Sequence, residues 1–335
     1  MVLTPSLRSQ KAGKGHLFLA PFLFFTSIFG FSPSLATDRL QADREAQAKI
    51  SVSANLVLLP VKVTDKRGTF VAGLKLQDFR VYEDRLLQKL TVFEEGDTPV
   101  TVGLIVDHSR SMGPKLREVA NAVYTFAHSS NPHDEMFVVD FNDDVLIELM
   151  KGKAFSSDPK ELEGALAAVA ARGRTALYDA VSEGLKHLQY GHFGKKALII
   201  ISDGGDNASH LKYSQVLAQA RRSQAMIYAI GLVGADDTEE NPKLLRRLCN
   251  DTGGIAYFPK EGESVAKVST EIARDLREQY SLGYPPPNMQ HVEALRKIEV
   301  KVTVQGRGSL RVRTRQSYSL APEKRSTAEL GTGTR

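Results

Sequence analysis

The chain has 335 residues and a mass of 36.8 kDa, enough for one large domain with a smaller companion or for two ordinary domains. Its hydrophobic content of 42% and charged content of 25% are average for globular proteins, and they exclude a wholly disordered chain and a polytopic membrane protein. Without the first 36 residues, which contain three basic and no acidic side chains, 41 basic and 39 acidic residues remain. The resulting net charge of +2 gives no electrostatic case for nucleic acid as a partner.

The first 36 residues have the pattern of an export signal. A basic stretch precedes an apolar run from Leu17 to Phe31, and Ser34-Leu35-Ala36 offers small residues at the cleavage spacing. The alternative is an uncleaved anchor helix, but about 15 apolar residues interrupted by Pro21 fall short of the roughly 20 that a membrane span needs. We therefore predict a signal peptide at 1–36, a polar lead-in at 37–49, and an exported protein, periplasmic or secreted, with no membrane span after cleavage.

Residues 50–97 alternate between apolar and polar side chains, as a half-buried strand does. Val57, Leu59, Val61 and Val63 follow this period of two, and the turn residues 65–68 come next. The same alternation returns at 79–83 and 89–93. We predict a small antiparallel β unit of three or four strands, which alone is marginally stable.

The pattern changes near residue 98, where continuous apolar runs replace the alternation. Four such runs, 102–106, 136–139, 197–201 and 226–230, are typical of strands buried on both faces. Apolar residues with helical spacing lie between and after them, and predict helices that include 116–123, 162–169, 177–188 and 262–278. Residues 98–278 are therefore predicted to form an α/β domain with a doubly wound, mostly parallel sheet flanked by helices.

The period of two returns after residue 278. Residues 298–304 and 310–314 alternate on either side of a Gly-rich turn, which predicts a β-hairpin. We predict that 279–320 complete the β module begun by 50–97, so that the α/β domain is an insertion in it. The remaining residues, 321–335, are rich in Gly, Thr and charge and are predicted to be disordered.

Arginine recurs at every second position of the last predicted strand. Arg311, Arg313 and Arg315, with Lys301 on the facing strand, predict one cationic face. Contact with an anionic surface or polymer is one interpretation, but we favour a solvated outer face of an antiparallel sheet.

Polar side chains follow two of the predicted buried strands, where each strand ends. Asp107-His108-Ser109-Arg110-Ser111 places oxygen-bearing side chains at every second residue after the first strand, and Asp203 follows another. Because the carboxyl ends of parallel strands share one edge of the sheet, both carboxylates should meet there. Thr175 lies where a predicted helix begins, and oxygen ligands are those that hard divalent cations prefer.

At these residues the chain resembles the von Willebrand factor A-type domains, which carry a metal-ion-dependent adhesion site. The family pattern is Asp-x-Ser-x-Ser after the first strand, a Thr in a later loop, and an Asp, usually in Asp-Gly, after another strand. All five positions are matched in order, by Asp107, Ser109, Ser111, Thr175 and Asp203. Flanking stretches, among them 78–84 and 279–284, look like the exported bacterial proteins called VWFA-related, common in acidobacteria. This likeness spans about residues 50–317.

The resemblance implies a cation site and a way of using it. Ser109, Ser111 and Thr175 would coordinate Mg²⁺, with Mn²⁺ or Ca²⁺ as alternatives, directly or through water, while Asp107 and Asp203 act directly or through other ligands. One coordination position stays open for an acidic residue of a protein partner, so the ion links two proteins and the chain is not an enzyme. Few formal charges from the protein leave such an ion electron-poor, which favours an anionic oxygen from outside.

Two departures from the family pattern affect neighbouring positions. Arg85 stands where a Gly often completes the turn after Asp84, and His108 and Arg110 are bulkier than the usual residues between the ligands. Arg110 therefore bears on which acidic group is favoured. We place His108 at the rim of the site.

Other interpretations of the same residues stay open. The three hydroxyl residues also suit helix caps. A hydrolase that uses the ion to activate water needs a base, for which Asp206 and His108 are the nearby candidates. A structural envelope protein with an empty site is the third possibility. Four further polar residues near the strand ends are predicted to be solvated loop residues: Asp143, Asp144, Asp206 and Asn207.

Overall fold

The computed structural model describes residues 56–149, 152–167, 170–232, 241–260, 263–287 and 294–320. The predicted signal peptide, lead-in and C-terminal tail lie outside these residues. The strands are β1 (Val57–Thr64), β2 (Phe79–Glu83), β3 (Leu86–Leu87), β4 (Val92–Glu95), β5 (Thr101–Asp107), β6 (Glu135–Phe141), β7 (Val145–Glu148), β8 (Lys196–Ser202), β9 (Met226–Gly231), β10 (Ala256–Tyr257), β11 (Tyr280–Tyr284), β12 (Arg296–Val302), β13 (Arg311–Arg313) and β14 (Ser317–Tyr318). The α-helices are α1 (Leu116–Ser129), α2 (Pro159–Ala167), α3 (Leu177–His187), α4 (Tyr213–Ser223), α5 (Pro242–Thr252) and α6 (Val265–Arg277).

A six-stranded sheet forms the centre of the α/β part, in the order β10-β9-β8-β5-β6-β7. Every neighbouring pair is parallel except β6 and β7, which are antiparallel. All seven residues of β5 are buried, because helices cover both faces of the sheet. The predicted fold class and the four predicted buried strands are therefore confirmed. The sequence pattern missed β7 and β10, which are too short for a periodic pattern to stand out.

Two helical layers bury the two faces of this sheet. One core is shared by α1, α2 and α6, and the other by α3, α4 and α5. Helix starts follow local chemistry: at α2, Asp158 accepts a hydrogen bond from the Lys160 amide at 2.9 Å and Pro159 is the first helical residue. Each fully buried aliphatic side chain contributes about 1.5–3 kcal/mol relative to exposure, so these cores dominate the stability of the domain.

The remaining strands form a β module of two four-stranded sheets around a third core. Their orders are β13-β1-β11-β4 and β14-β12-β2-β3. Strands β1 to β4 precede the α/β part in the chain and β11 to β14 follow it, yet β1 pairs with β11 from Val57↔Tyr284 to Val61↔Tyr280. The α/β part is thus an insertion in the β module, as the fold prediction had it.

The predicted hairpin at residues 298–314 is wrong. β12 pairs with β2 and β14, whereas β13 pairs with β1 in the other sheet, so the chain crosses between the sheets after Val302. Both strands turn alternate side chains toward the core that the two sheets share. That arrangement gives the same alternating sequence as a hairpin does, because the two inner faces of a sandwich are equivalent in pattern.

The predicted cationic face is wrong for two of its four residues: Arg313 and Arg315 point into the contact between the β module and the α/β part, whereas Arg311 and Lys301 are exposed. Arg313 Nη2 lies 2.5 Å from Asp275 Oδ2 on α6. Arg315 is fully buried and donates through Nη2 to the carbonyl oxygen of Ala220 at 3.3 Å, in the last turn of α4. Carbonyl groups at a helix C-terminus and a helix carboxylate both attract cations, which accounts for the inward orientation.

Asp275 is the centre of a buried polar cluster at this contact. Its Oδ2 accepts a hydrogen bond from the Tyr228 hydroxyl at 2.7 Å, and its Oδ1 lies 3.4 Å from Lys62 Nζ on β1. Burial raises the pKa of the carboxyl group, but Arg313 and Lys62 outweigh burial and hold that pKa below its ordinary value. The cluster therefore joins α6, a central strand and the β module.

Connections to the β module leave the α/β part at one edge of its sheet. β4 ends at Glu95 and β5 begins at Thr101, while α6 ends at Arg277 and β11 begins at Tyr280. Both connections therefore lie at the amino edge, because helices of a parallel α/β fold run back toward the start of the next strand. The carboxyl edge faces away from the β module. No helix within the described ranges combines the length and hydropathy needed to cross a membrane.

Candidate metal-binding site

The candidate site lies at the carboxyl edge of the central sheet, where the strand order changes direction. After β5 the chain adds β6 and β7 on one side, and it then crosses to add β8, β9 and β10 on the other. Loops that leave β5 and β8 consequently diverge, and a crevice opens between them. Asp107 and the two serines follow β5, and Asp203 follows β8.

Asp107 is completely buried at the base of this crevice. Its Oδ1 accepts a hydrogen bond from the Ser109 amide at 2.8 Å, and its Oδ2 accepts one from the Ser202 hydroxyl at 2.6 Å. Burial raises the pKa of Asp107 to about 6, against the lowering effect of these hydrogen bonds, and the nearby charge of Asp203 adds to the rise. The pocket thus holds negative charge that a cation would stabilise.

Ser109, Ser111 and Asp203 are connected by their side chains. Ser111 Oγ donates to Asp203 Oδ2 at 2.7 Å, and the two serine hydroxyl oxygens are 3.2 Å apart. The other carboxylate oxygen of Asp203 accepts a hydrogen bond from the Gly205 amide at 3.1 Å. Gly204 has a φ of +86°, and a Cβ there would lie 3.1 Å from the carbonyl oxygen of Asn241, so glycine suits this turn.

Thr175 lies on the neighbouring loop, which is held in place by its backbone. The Thr175 amide donates to Asn207 Oδ1 at 2.9 Å, and the next amide, of Ala176, donates to the carbonyl oxygen of Asn142 at 2.8 Å. The amide of Arg110 donates to the carbonyl oxygen of Gly173 at 3.3 Å, which brings this loop against the serine loop. In the described part of the chain, no hydrogen bond joins the Thr175 hydroxyl to the other four predicted ligands.

Three of the four polar residues predicted as solvated loop residues also hold the Thr175 loop, and two of these three, Asp143 and Asn207, are exposed as predicted. Asp143 accepts hydrogen bonds from the amide and the Nε of Arg174, both at 2.9 Å, and Asn207 accepts from Thr175. Asp206 accepts from the Tyr178 amide at 3.2 Å, at the start of α3. Their position next to strand ends was visible in the sequence, but the pairing of separate loops is a tertiary property.

His108 is buried rather than at the rim. Only 2% of its surface is exposed, and its Nδ1 contacts a carboxylate oxygen of Asp140 at the end of β6. Its carbonyl oxygen accepts a hydrogen bond from the Arg172 amide at 3.0 Å, a second link between the two loops. The bulky side chain therefore supports the site from beneath, and sequence reasoning missed Asp140 because β6 carries no family motif.

The side chains that converge here suit a hard divalent cation. Hydroxyl and carboxylate oxygens are the ligand atoms that Mg²⁺ prefers, and Asp107 and Asp203 together carry a formal charge of −2 when both are ionised. Within the described ranges, no three His, Cys, Asp or Glu residues lie together as a metal-ligand cluster, so a zinc-type site is not part of this region.

Comparison with known protein families identifies a match in the central part of the chain. The family model of the von Willebrand factor type A domain matches residues 102–271. Among solved structures, a von Willebrand factor type A protein from Catenulispora acidiphila is 16% identical with a TM-score of 0.48, over 59% of this chain and 50% of that one. The chain thus spans half the length of that relative.

Two further similar structures come from bacterial pili. The von Willebrand factor domain of the type V pili tip protein Mfa5 from Porphyromonas gingivalis is 12% identical with a TM-score of 0.44, over 54% of this chain and 95% of that one. The pilus adhesin SpaC from Lactobacillus rhamnosus GG, in its open conformation, is 16% identical with a TM-score of 0.43, over 63% of this chain and 36% of that one.

Proposed function

The chain belongs to the von Willebrand factor type A domain family, and from this premise we propose that it is an exported, non-enzymatic binding protein. It holds Mg²⁺ at the carboxyl edge of its central sheet and captures an acidic group of a protein partner there. The residues that would hold the ion are Asp107, Ser109, Ser111, Thr175 and Asp203.

One observation carries this proposal: side chains from two separate strands converge through the hydrogen bond between Ser111 Oγ and Asp203 Oδ2. An oxygen cluster of this kind, built over a buried carboxylate, has no role in covering a hydrophobic core. When bound, the ion supplies a positive centre with a position left for an outside oxygen. The protein residues hold the cluster in place. Because the β module lies at the amino edge of the central sheet, it leaves the carboxyl edge accessible to a large partner.

Export is supported by the sequence of residues 1–36 alone, and it fits a role in contacts between proteins outside the cytoplasm. A single buried cysteine is compatible with that environment, since the fold needs no disulfide.

The test is metal-dependent stability. We expect the thermal midpoint of the wild type to rise with Mg²⁺ relative to chelator, because an ion at about a hundred times its dissociation constant adds about 2.7 kcal/mol. Asp203→Asn and Ser111→Ala should remove that rise. Asp251→Asn is the matched control, since this aspartate lies near the end of α5, at the opposite edge, and pairs only with Arg221 in the described part. A rise that persists in both site variants would contradict the proposed ligands.

A metal-loaded protein that hydrolyses ester, phosphate or peptide substrates, with activity lost in Asp203→Asn, would replace binding by catalysis as the function. A protein that binds its partner equally well in chelator would favour the structural role.

A further inference from the structure

The strand β7 begins beside the candidate site and forms one edge of the central sheet. It follows Asn142, whose carbonyl oxygen holds the Thr175 loop, and it runs antiparallel to β6, away from the carboxyl edge. Within the described residues β6 is its one partner strand. One end of this edge therefore adjoins the site.

This edge is apolar near the candidate site, and its one charged residue, Glu148, is the last of the strand. Leu146 is 54% exposed and Ile147 is 36% exposed, and the strand contains neither lysine nor proline. Natural proteins protect exposed sheet edges with charge, proline or bulges, because a free edge pairs readily with another strand. Among the described residues, the first three positions of β7 carry no such protection, which suits them to pairing with a strand from another chain.

Backbone groups along the edge point outward in a regular way. The carbonyl oxygen of Phe141 accepts a hydrogen bond from the His108 amide, so the backbone of Phe141 faces β5. Its opposite residue on β7 is Val145, and opposite residues of an antiparallel pair both face inward or both face outward. Val145 and Ile147 consequently direct their N–H and C=O groups away from β6.

We propose that an extended segment of the partner adds to the sheet as an antiparallel strand beside β7, and that an acidic residue about five positions after this strand reaches the candidate metal site. The inference rests on the proposed function, whose partner it describes. Antiparallel addition is the more stable arrangement, and it directs the end of the added strand toward the carboxyl edge.

The number of residues between the added strand and the acidic residue follows from sheet geometry. An added strand lies three inter-strand spacings from β5, about 14 Å at about 4.8 Å each, and an extended chain covers this distance with four or five residues at about 3.3 Å each. The linking residues would pass the two joined loops, on which Arg110 and Arg172 are exposed. The charge of Arg174 is balanced by its partner Asp143, and one more negative charge comes from the exposed Asp144 just before β7. Two exposed arginines against one aspartate leave the path with a net positive charge, which favours an acidic linker.

A selection from random displayed peptides of about 15 residues, carried out with Mg²⁺, tests this inference without knowledge of the natural partner. We expect the recovered peptides to share an alternating apolar strand followed, about five positions later, by Asp or Glu. Recovery of Mg²⁺-dependent peptides without this pattern, or of no peptide, would overturn the inference.

Variants of the edge then separate its role from that of the metal site. Ile147→Pro removes an outward N–H group that the sheet itself does not use, and a proline is tolerated at such a position. Leu146→Lys instead adds a charge to the edge, and it tests the same edge if the proline variant does not fold. Both should weaken binding of a recovered synthetic peptide at least about tenfold and leave the Mg²⁺-induced thermal shift unchanged. Leu87→Lys, an exposed leucine on the edge strand β3, is the matched control and should bind normally.

The outcomes distinguish the two proposals. Peptides that need Mg²⁺ and Asp203 but bind both β7 variants normally would overturn the added strand and leave the proposed function standing. Peptides that bind Asp203→Asn as well as the wild type would show that the proposed function fails. A dimer in sedimentation velocity that Leu146→Lys dissociates would show that a second copy covers the edge, which also overturns the inference.

Discussion

The ion pair between Asp275 and Arg313 should hold the β module and the α/β part together as one cooperative unit. Asp275→Asn keeps the shape of the side chain but removes its charge, and leaves Arg313 and Lys62 without their shared carboxylate. Removing one partner of a buried ion pair costs about 3–5 kcal/mol. Because Arg313 keeps 27% of its side chain exposed, we expect about 3 kcal/mol, at the lower end.

The same substitution should change how stability depends on pH. The folded-state pKa of Asp275 lies below its ordinary value of 3.8, so its contribution is fully present above pH 3.8 and is lost as pH falls through the folded-state pKa. The difference between wild type and Asp275→Asn should therefore shrink on acidification. Arg313→Met completes a double-mutant cycle, in which we expect a coupling of about 1.5–2 kcal/mol.

Urea unfolding followed by circular dichroism measures these quantities. A difference below about 0.5 kcal/mol at neutral pH, or one that stays constant between pH 6 and pH 3, would refute the assignment of the cluster as the main polar link between the two parts. Two separate unfolding transitions in the variant, with one in the wild type, would support it further, because cooperativity between units depends on their interface.

Four further substitutions test three local features. Gly254→Ala should lower the free energy of unfolding in urea by at least about 2 kcal/mol, because a Cβ there would lie 2.0 Å from the carbonyl oxygen of Ile227. Gly164→Ala on α2 should raise it by about 0.5–1 kcal/mol, because a Cβ there would have nothing within 4 Å. Equal effects of the two substitutions would contradict the argument from these contacts. Arg85→Gly should stabilise by about 1 kcal/mol, because Arg85 has a φ of +71° in the turn between β2 and β3; a loss of stability would contradict strain there. Burial lowers the pKa of Lys195 to about 8, so the wild-type free energy of unfolding should rise relative to Lys195→Met between pH 8 and 9.5, by at most about 1.4 kcal/mol per pH unit; a constant difference would contradict this titration.

The central sheet was predictable because its strands are buried on both faces. Runs such as Val102–Val106 and Ala197–Ile201 admit few other interpretations, since helices on both sides demand continuous apolar residues. The β module was predictable as a set of strands but not as a pairing. Alternation specifies which side of a strand is buried, and it does not specify which neighbour supplies the hydrogen bonds, so β12 and β13 were assigned to one hairpin.

The candidate site shows the same division between local pattern and tertiary pairing. Asp107, Ser109 and Ser111 lie on one short loop, and their spacing was sufficient to single them out. Their supports were not visible, because Asp140 and Asp143 act across loops that are distant in sequence. The inward orientation of Arg315 was hidden for the same reason, since an arginine at an alternating position looks like a solvated residue until a helix C-terminus is placed beside it.

The attachment of the β module at the amino edge separates it from the candidate site. An inserted α/β domain that starts with a strand and ends with a helix has both connections at the amino edge of its sheet, whatever the host module is. The carboxyl edge is then free of constraints from the host, and the loops that follow β5 and β8 can vary while Asp275 and Arg313 fix the attachment. Arg110 lies between the two serines and is exposed, so a change at Arg110 should alter which acidic segment is preferred without loosening the contact with the β module.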